Sequence, residues 1–371
     1  MILGLIIGFW AIVYLLYALG GREWESIEVA PFQLIWRTRR FLDFIDRVGT
    51  SHARFWKAYG TLGVVVGFVG MIYVFYTLLT LAIKILRPKA EAMPGVVPVI
   101  PGVTIPLWYG LIALAVVMVV HELSHGFVAR AEGLRLKSVG FILLFVIPGA
   151  FVEPDEEALN KAPLGSKLRV YAAGSMANIL VAFLAALLMN AVALAFIPTG
   201  VEVQGVVASS PADGVLQKGD VIVAINGHSM ERIEEFFEFM NSTRPGQTLE
   251  LTVLRNGERL DLRITLGEHP EKPGKGYIGI YPAQHVRSKI GFDSILIALF
   301  SAFYWIYLLN FGIGLMNLFP IIPLDGGRMV DDILKALLPR TVARLLRYSI
   351  MAVGVLLLAI NLIPALRGLL G

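Results

Sequence analysis

Trp108-Tyr109-Gly110-Leu111-Ile112-Ala113-Leu114-Ala115-Val116-Val117-Met118-Val119-Val120 runs unbroken into His121-Glu122-Leu123-Ser124-His125. An apolar run of this kind reads as a helix inside a bilayer. On a helix, residues four apart share one face a single turn apart. His121 and His125 therefore present two imidazoles ready to share a cation, with Glu122 beside them, placed to take a proton from activated water. The bare pattern recurs by chance in soluble proteins. Inside hydrocarbon that reading weakens, because ionisable groups there cost several kcal/mol unless they are paired or ligated.

The rest of the chain supplies the membrane context. Of 371 residues, 56% are hydrophobic and 16% charged, and the mean hydropathy is +0.71, which is the composition of a polytopic membrane protein. The formal net charge of +4 comes from cations flanking apolar stretches. These act as topology determinants, and nothing points to a nucleic-acid partner. The chain has no cysteine, so disulfides and thiolate metal sites are excluded, and His, Asp and Glu remain as strong ligands.

Six stretches are long and apolar enough to span: Ile2 to Leu19, Leu62 to Ile85, Leu107 to Ala129, Val170 to Ile197, Ile295 to Phe319 and Leu345 to Leu366. The first lacks the basic start and small-residue site of a cleaved signal and reads as a retained span. Arg22, Arg37, Arg39, Arg40, Arg47, Arg54 and Lys57 crowd the first connection, which the positive-inside rule places in the cytoplasm. By alternation, Arg135, Lys137, Lys161, Lys167, Arg328, Lys335, Arg340 and Arg344 are cytoplasmic and Val201 to Lys289 is extracytoplasmic. Two apolar segments cannot be ordinary spans: Gly95 to Pro106, punctuated by Pro98, Pro101 and Pro106, and Lys137 to Val152 around Pro148-Gly149. Such backbone survives at membrane depth when it is buried in protein or lines a wet cavity. Both are expected to be re-entrant β segments lining the site, with interfacial loops as the alternative.

Val201 to Gly267 has a different texture. Glu250 to Arg255 and Arg259 to Thr265 alternate as strands, Met230 to Asn241 reads as a helix, and Asn256-Gly257 makes a hairpin turn. Ser209-Ser210-Pro211-Ala212, Leu216-Gln217-Lys218-Gly219-Asp220-Val221-Ile222 and Ile225-Asn226-Gly227 resemble the PDZ domain found in proteases. That resemblance implies a peptide or C-terminus docking on a sheet edge. The expected division is 1–86, two N-terminal spans with a basic loop; 87–199, the first part of a membrane core; 200–270, the PDZ domain; and 271–371, a linker and the second part of the core.

A catalytic zinc takes three protein ligands and keeps one position open, so the histidines need a partner. Asp325 is the most conspicuous carboxylate: no Asp, Glu, Lys or Arg occurs from Ser294 to Leu324, Pro320 and Pro323 precede it, and Gly326-Gly327 follow. Glu153, Asp155, Glu156 and Glu157 are rivals with the character of cytoplasmic-surface charges, and Asp331 and Asp332 read as helix-face charges beside Arg328 and Lys335.

Three separated blocks, His121 to Gly126, Ala173-Gly174-Ser175-Met176-Ala177-Asn178 and Asn317-Leu318-Phe319-Pro320-Ile321-Ile322-Pro323-Leu324-Asp325-Gly326-Gly327, resemble the site-2 protease family of intramembrane metalloproteases. Ser175 stands where the family usually has proline, and the first two spans fall outside the resemblance. The resemblance implies Zn2+ held by His121, His125 and Asp325, Glu122 as catalytic base, and Asn317 on the substrate backbone. It places Asn178 near the metal; an amide donor there would suit the developing oxyanion, with an interhelical hydrogen bond as the alternative. Single-span membrane proteins, already trimmed outside the membrane and gated by the PDZ domain, are the implied substrates, cut near the cytoplasmic face. Two other classes are compatible with the sequence: a membrane metal transporter or sensor, and a protease-like scaffold without activity. Iron or cobalt would fit the same donors.

Overall fold

The computed structural model describes residues 2–20, 26–87, 94–145 and 147–370, and it divides into two compact units, 1–187 with 301–371, and 188–300. Arg22 lies outside the described residues.

The first unit begins with helix α1 (Ile2–Gly20), strands β1 (Ile27–Ala30) and β2 (Gln33–Thr38), and helices α2 (Leu42–Ser51) and α3 (Ala53–Ile85). Helix α4 (Leu107–Ala131), the hairpin β3 (Leu136–Leu144) and β4 (Ile147–Pro154), the short α5 (Glu156–Lys161) and the long α6 (Leu164–Ala193) follow. Asp155 caps α5, its carboxylate accepting from the Glu157 and Ala158 amides.

The strands form one antiparallel sheet in the order β1-β2-β3-β4. Thr38 pairs with Val139 and Gln33 with Leu144. The expected β segment over Lys137 to Val152 is this hairpin. Gly95 to Pro106 is not a strand: it is an irregular loop in which Ile100 O accepts from the Val103 and Thr104 amides, with one isolated bridge between Pro101 and Ile105. Three prolines supply no amide hydrogen to a ladder, so the segment closes on itself. The basic connection read from sequence as a loop instead contributes β1, β2 and α2 to the core. Gly49 of α2 sits against α4, where an added Cβ would stand 2.6 Å from Arg130 Cβ, and Arg130 is ion-paired to Asp46. Buried Gly60, Gly63, Gly67 and Gly70 form a stripe on α3, and Gly63 lies against Met176 of α6. Small residues let helices approach closely where no water drives them together.

The second unit carries β5 (Phe196–Val206), β6 (Val221–Ile225), β7 (His228–Ser229), α7 (Ile233–Ser242), β8 (Thr248–Arg255), β9 (Glu258–Thr265), β10 (Gly267–Glu268), β11 (Gly276–Tyr277) and β12 (Ile280–Ser288). Its main sheet runs β12-β5-β6-β8-β9 with β7 beside β6, and β10 pairs with β11. Val201, Val203, Ile222, Ile225, Leu249, Leu251, Val253 and Phe236 fill the core. Asn256 and Gly257 both hold positive φ, 51° and 85°, the left-handed pair that a two-residue hairpin turn requires. Asp220, 1% exposed, is held by Arg255 through two hydrogen bonds of 2.7 Å and by the Gln217 amide at 2.9 Å. Burial opposes its charge, yet the guanidinium keeps its carboxyl below the ordinary aspartate range.

The chain continues with α8 (Asp293–Asn317), α9 (Asp325–Leu337) and α10 (Arg340–Leu370). Among the described residues five helices are long and apolar enough to cross a membrane: α3, α4, α6, α8 and α10. The first expected span forms α1, whose described apolar stretch, Ile7–Gly20, is shorter. The molecule is thus a multi-pass α-helical membrane protein carrying an α+β domain.

Candidate metal centre

Helix α4 keeps its period through the polar residues, so His121 and His125 share one face, edge to face with ring centroids 4.7 Å apart and Nε2 atoms 3.1 Å apart. The third group arrives from a chain reversal. After α8, Leu318 N reaches back to Leu315 O, Phe319 N to Met316 O and Leu324 N to Ile321 O. Asp325 then opens α9. Gly326 and Gly327 make the reversal possible: a Cβ on the first would overlap the Leu318 carbonyl, and one on the second the Ile321 backbone. Asp325 Oδ2 comes to 3.2 Å from His121 Nε2 and 3.3 Å from His125 Nε2.

His121, His125 and Asp325 are the one group of three or more metal-ligating side chains among the described residues, with ligand atoms within 4.8 Å of one another. The donor separations fit a cation: three corners of a tetrahedron about zinc, with bonds of about 2.0 Å, stand about 3.3 Å apart. Asp325 Oδ2 is also buried without a hydrogen-bond partner, which is costly unless a ligand completes it. His125 is turned for ligation, because Nδ1 lies 2.7 Å from the Val170 carbonyl. A ring that donates from Nδ1 keeps the Nε2 lone pair for a metal.

Glu122 does not join the triad. Its Oε2 accepts from the Val152 amide of β4 at 2.9 Å, and it lines a cavity of about 270 Å3 together with His121, His125, Val152, Asn317, Asp325 and Arg328. Arg328 lines this cavity and a neighbouring one of about 420 Å3. Asn317 lines the first cavity as well.

Asn178 does not: it is fully buried, and its Nδ2 lies 3.0 Å from His121 Nδ1. The contact is interhelical, joining α6 to α4.

The rival carboxylates are engaged elsewhere. Glu153 accepts from Ser138 Oγ at 2.6 Å, Asp155 caps α5, Glu157 pairs with Lys161, and Glu156 lines the second cavity. Asp331 pairs with Lys335 and Arg347, and Asp332 with Lys167 and Tyr171.

Helix α6 supplies what the motif alone did not reveal. Gly174 lies directly beneath the histidines, where a Cβ would stand 2.6 Å from His121 Cε1 and Nε2 and closer still to His125 Nε2. The Ala173 carbonyl next to it accepts from Ser124 Oγ at 2.9 Å and Tyr59 Oη at 3.1 Å, which ties α3, α4 and α6 together at the site.

The sequence pattern of peptidase family M50, the site-2 protease family, matches residues 109–361. This chain belongs to that family. The M50 match spans every metal-group residue and the whole second unit. The uncharacterized protein MJ0971 of Methanocaldococcus jannaschii is 30% identical over 296 residues, 79% of this chain and 75% of that protein. The membrane-bound transcription factor site-2 protease homolog of Arabidopsis thaliana is 30% identical over 135 residues, 35% of this chain and 26% of its own length. Among solved structures, the PDZ domain of an SdrC-like protein from Listeria monocytogenes is similar over 23% of this chain and 88% of that one, at 28% identity and a TM-score of 0.22. M50 membership makes the chain a peptidase of the metalloprotease kind.

Proposed function

We propose that the protein is an intramembrane zinc endopeptidase that hydrolyses peptide bonds within membrane-spanning segments of other proteins. The observation that carries this reading is the convergence of three donor atoms, 3.1 to 3.3 Å apart, from two distant apolar segments, beside a carboxylate that is not spent on them. His121, His125 and Asp325 would hold the ion, and the absence of cysteine makes this nitrogen–oxygen set the available one. When bound, zinc supplies Lewis acidity and a lowered water pKa.

Glu122, oriented by Val152 N–H, receives the proton of the attacking water and passes it to the departing amine, general acid–base work worth about 10²- to 10⁴-fold. A peptide bond in a transmembrane helix is sheltered by helical hydrogen bonds, so the substrate has to be locally extended. Strand β4 is the sheet edge beside Glu122, suited to receive such a segment as an added strand, and Asn317 at the cavity wall offers a side-chain amide to its backbone. Within this reading the second unit is an extracytoplasmic PDZ domain that admits stubs left by earlier trimming, and cleavage falls nearer the cytoplasmic side. Its motifs between Ser209 and Gly227 and its six-stranded sheet with α7 support that assignment.

The decisive test is Glu122→Gln in the purified full chain, with a single-span substrate in detergent or vesicles. Cleavage should fall by at least about 10²-fold while zinc stays near one per chain. Cleavage at the unmodified rate would refute the reading, as would a protein that neither binds zinc nor cuts.

A further inference from the structure

Helix α6 meets the two histidines with one stripe of residues four apart: Val170, Gly174 and Asn178. The Val170 carbonyl stands behind His125 at 2.7 Å, Gly174 leaves room beneath both rings, and the Asn178 side chain stands behind His121 at 3.0 Å. Residues at i, i+4 and i+8 of a helix lie along one face, so the stripe runs beside the i, i+4 pair on α4 and gives each ring its own partner. For His125 that partner is a pure acceptor. For His121 it is an amide with two ends, and the structure leaves one of them unspent: Asn178 Oδ1 is buried with no hydrogen-bond partner in a residue 0% exposed. Buried acceptors are rarely orphaned.

The chemistry of ligation decides which end belongs against the ring. A histidine that gives its Nε2 lone pair to a metal carries its hydrogen on Nδ1 and donates from there. The Asn178 NH2 group cannot face a second donor. Turning the amide over brings the orphaned Oδ1 to Nδ1–H and makes His121 match His125, each ring donating from Nδ1 to an oxygen supplied by α6. Gly314 of α8 packs against the same residue, an added Cβ there standing 2.9 Å from Asn178 Cβ.

We infer that Asn178 is a positioning residue that, in the metal-loaded protein, accepts the Nδ1–H of His121 through its side-chain carbonyl and so holds that ring with Nε2 aimed at the metal. This rests on the metal-centre reading above and assigns Asn178 an acceptor's part there. The spacing of the block Gly174-Ser175-Met176-Ala177-Asn178 follows: glycine under the rings and, one turn on, an acceptor behind the first of them.

The test compares Asn178→Ala, Asn178→Leu and Asn178→Asp in the full-length detergent-solubilised protein, with zinc affinity read by chelator competition and Co2+ as a spectroscopic substitute. Partners behind a ligating histidine are worth about 10- to 100-fold in metal affinity. Asn178→Ala and Asn178→Leu should lose that much, and Asn178→Asp, which keeps an acceptor and has no donor, should stay within about 3-fold of the unmodified protein. A donor acting on substrate would instead leave metal binding unimpaired in all three variants, Asn178→Ala and Asn178→Leu included. A second measurement does not depend on the aspartate variant folding. In the Co2+-loaded protein the two ring N–H protons of His121 and His125 should appear as shifted, slowly exchanging signals, and Asn178→Ala should speed exchange of one of them only. Unchanged exchange in Asn178→Ala, or metal affinity unaltered in Ala and Leu, overturns the inference alone. Metal affinity unaltered in His121→Ala overturns the metal-centre reading, and this inference with it.

Discussion

Two buried aspartates, one in each unit, are treated in opposite ways. Asp220 is saturated by its own chain: a two-point grip from Arg255 and the Gln217 amide leaves its carboxylate complete. Asp325 is brought to within 3.3 Å of two imidazole nitrogens and keeps a buried oxygen that nothing in the chain satisfies. A carboxylate built to hold a fold is finished within it. One built to hold a ligand is left open.

Breaking the open site should have the largest effect on function and little on folding. Asp325→Ala is expected to remove stoichiometric zinc and lower cleavage by at least about 10³-fold, the scale of losing the machinery that activates water, with the elution profile of the protein unchanged. Gly174→Ala attacks the same site through space alone. The added methyl would enter the volume held by both rings, so metal affinity should fall at least about 10-fold with a stability loss of about 1–3 kcal/mol, read by chelator competition and thermal melting.

Breaking the closed site should do the reverse. Asp220→Ala leaves the Arg255 guanidinium without its partner and should destabilise the second unit by about 2–4 kcal/mol, the lower part of the range because Arg255 is partly exposed. Faster hydrogen exchange across Val201 to Thr265 in the full chain, with zinc content intact, is the readout.

The pH dependence sharpens the same contrast. Asp220 has a folded pKa below its unfolded value, so its contribution is complete above the unfolded pKa of about 3.9 and is lost as pH falls further through the folded value. Exchange protection of the second unit should weaken in that window, and Asp220→Asn should weaken less steeply there. The smallest effect belongs to the exposed cross-strand pair Arg263–Glu250: replacing Glu250 by Gln should change stability by under about 1 kcal/mol.

The sequence made some of this legible and hid the rest for physical reasons. His121, His125 and Glu122 stood out because charge inside an apolar run is expensive, and Asp325 because a long uncharged stretch ends on it. The hairpin at Asn256-Gly257 was readable because its turn demands positive φ. The β1–β2 hairpin was hidden: Ile27–Ala30 and Gln33–Thr38 are short, and their arginines follow the rule for membrane topology as well as any loop. The roles of Val170 and Gly174 were out of reach, since a backbone carbonyl carries no side-chain signal and a glycine in a membrane helix has many uses. Asn178 was visible as a polar residue in a span, but which side of His121 it occupies depends on how α6 crosses α4, a property of packing that local spacing does not encode.

X-ray absorption at the zinc edge of the purified, metal-loaded protein, set beside the His121→Ala, His125→Ala and Asp325→Ala variants, tests the central claim most directly. One zinc per chain with two imidazole nitrogens and one carboxylate oxygen among its ligands, lost or rearranged in each variant, is the expected spectrum. A zinc shell that survives all three substitutions unchanged would contradict it.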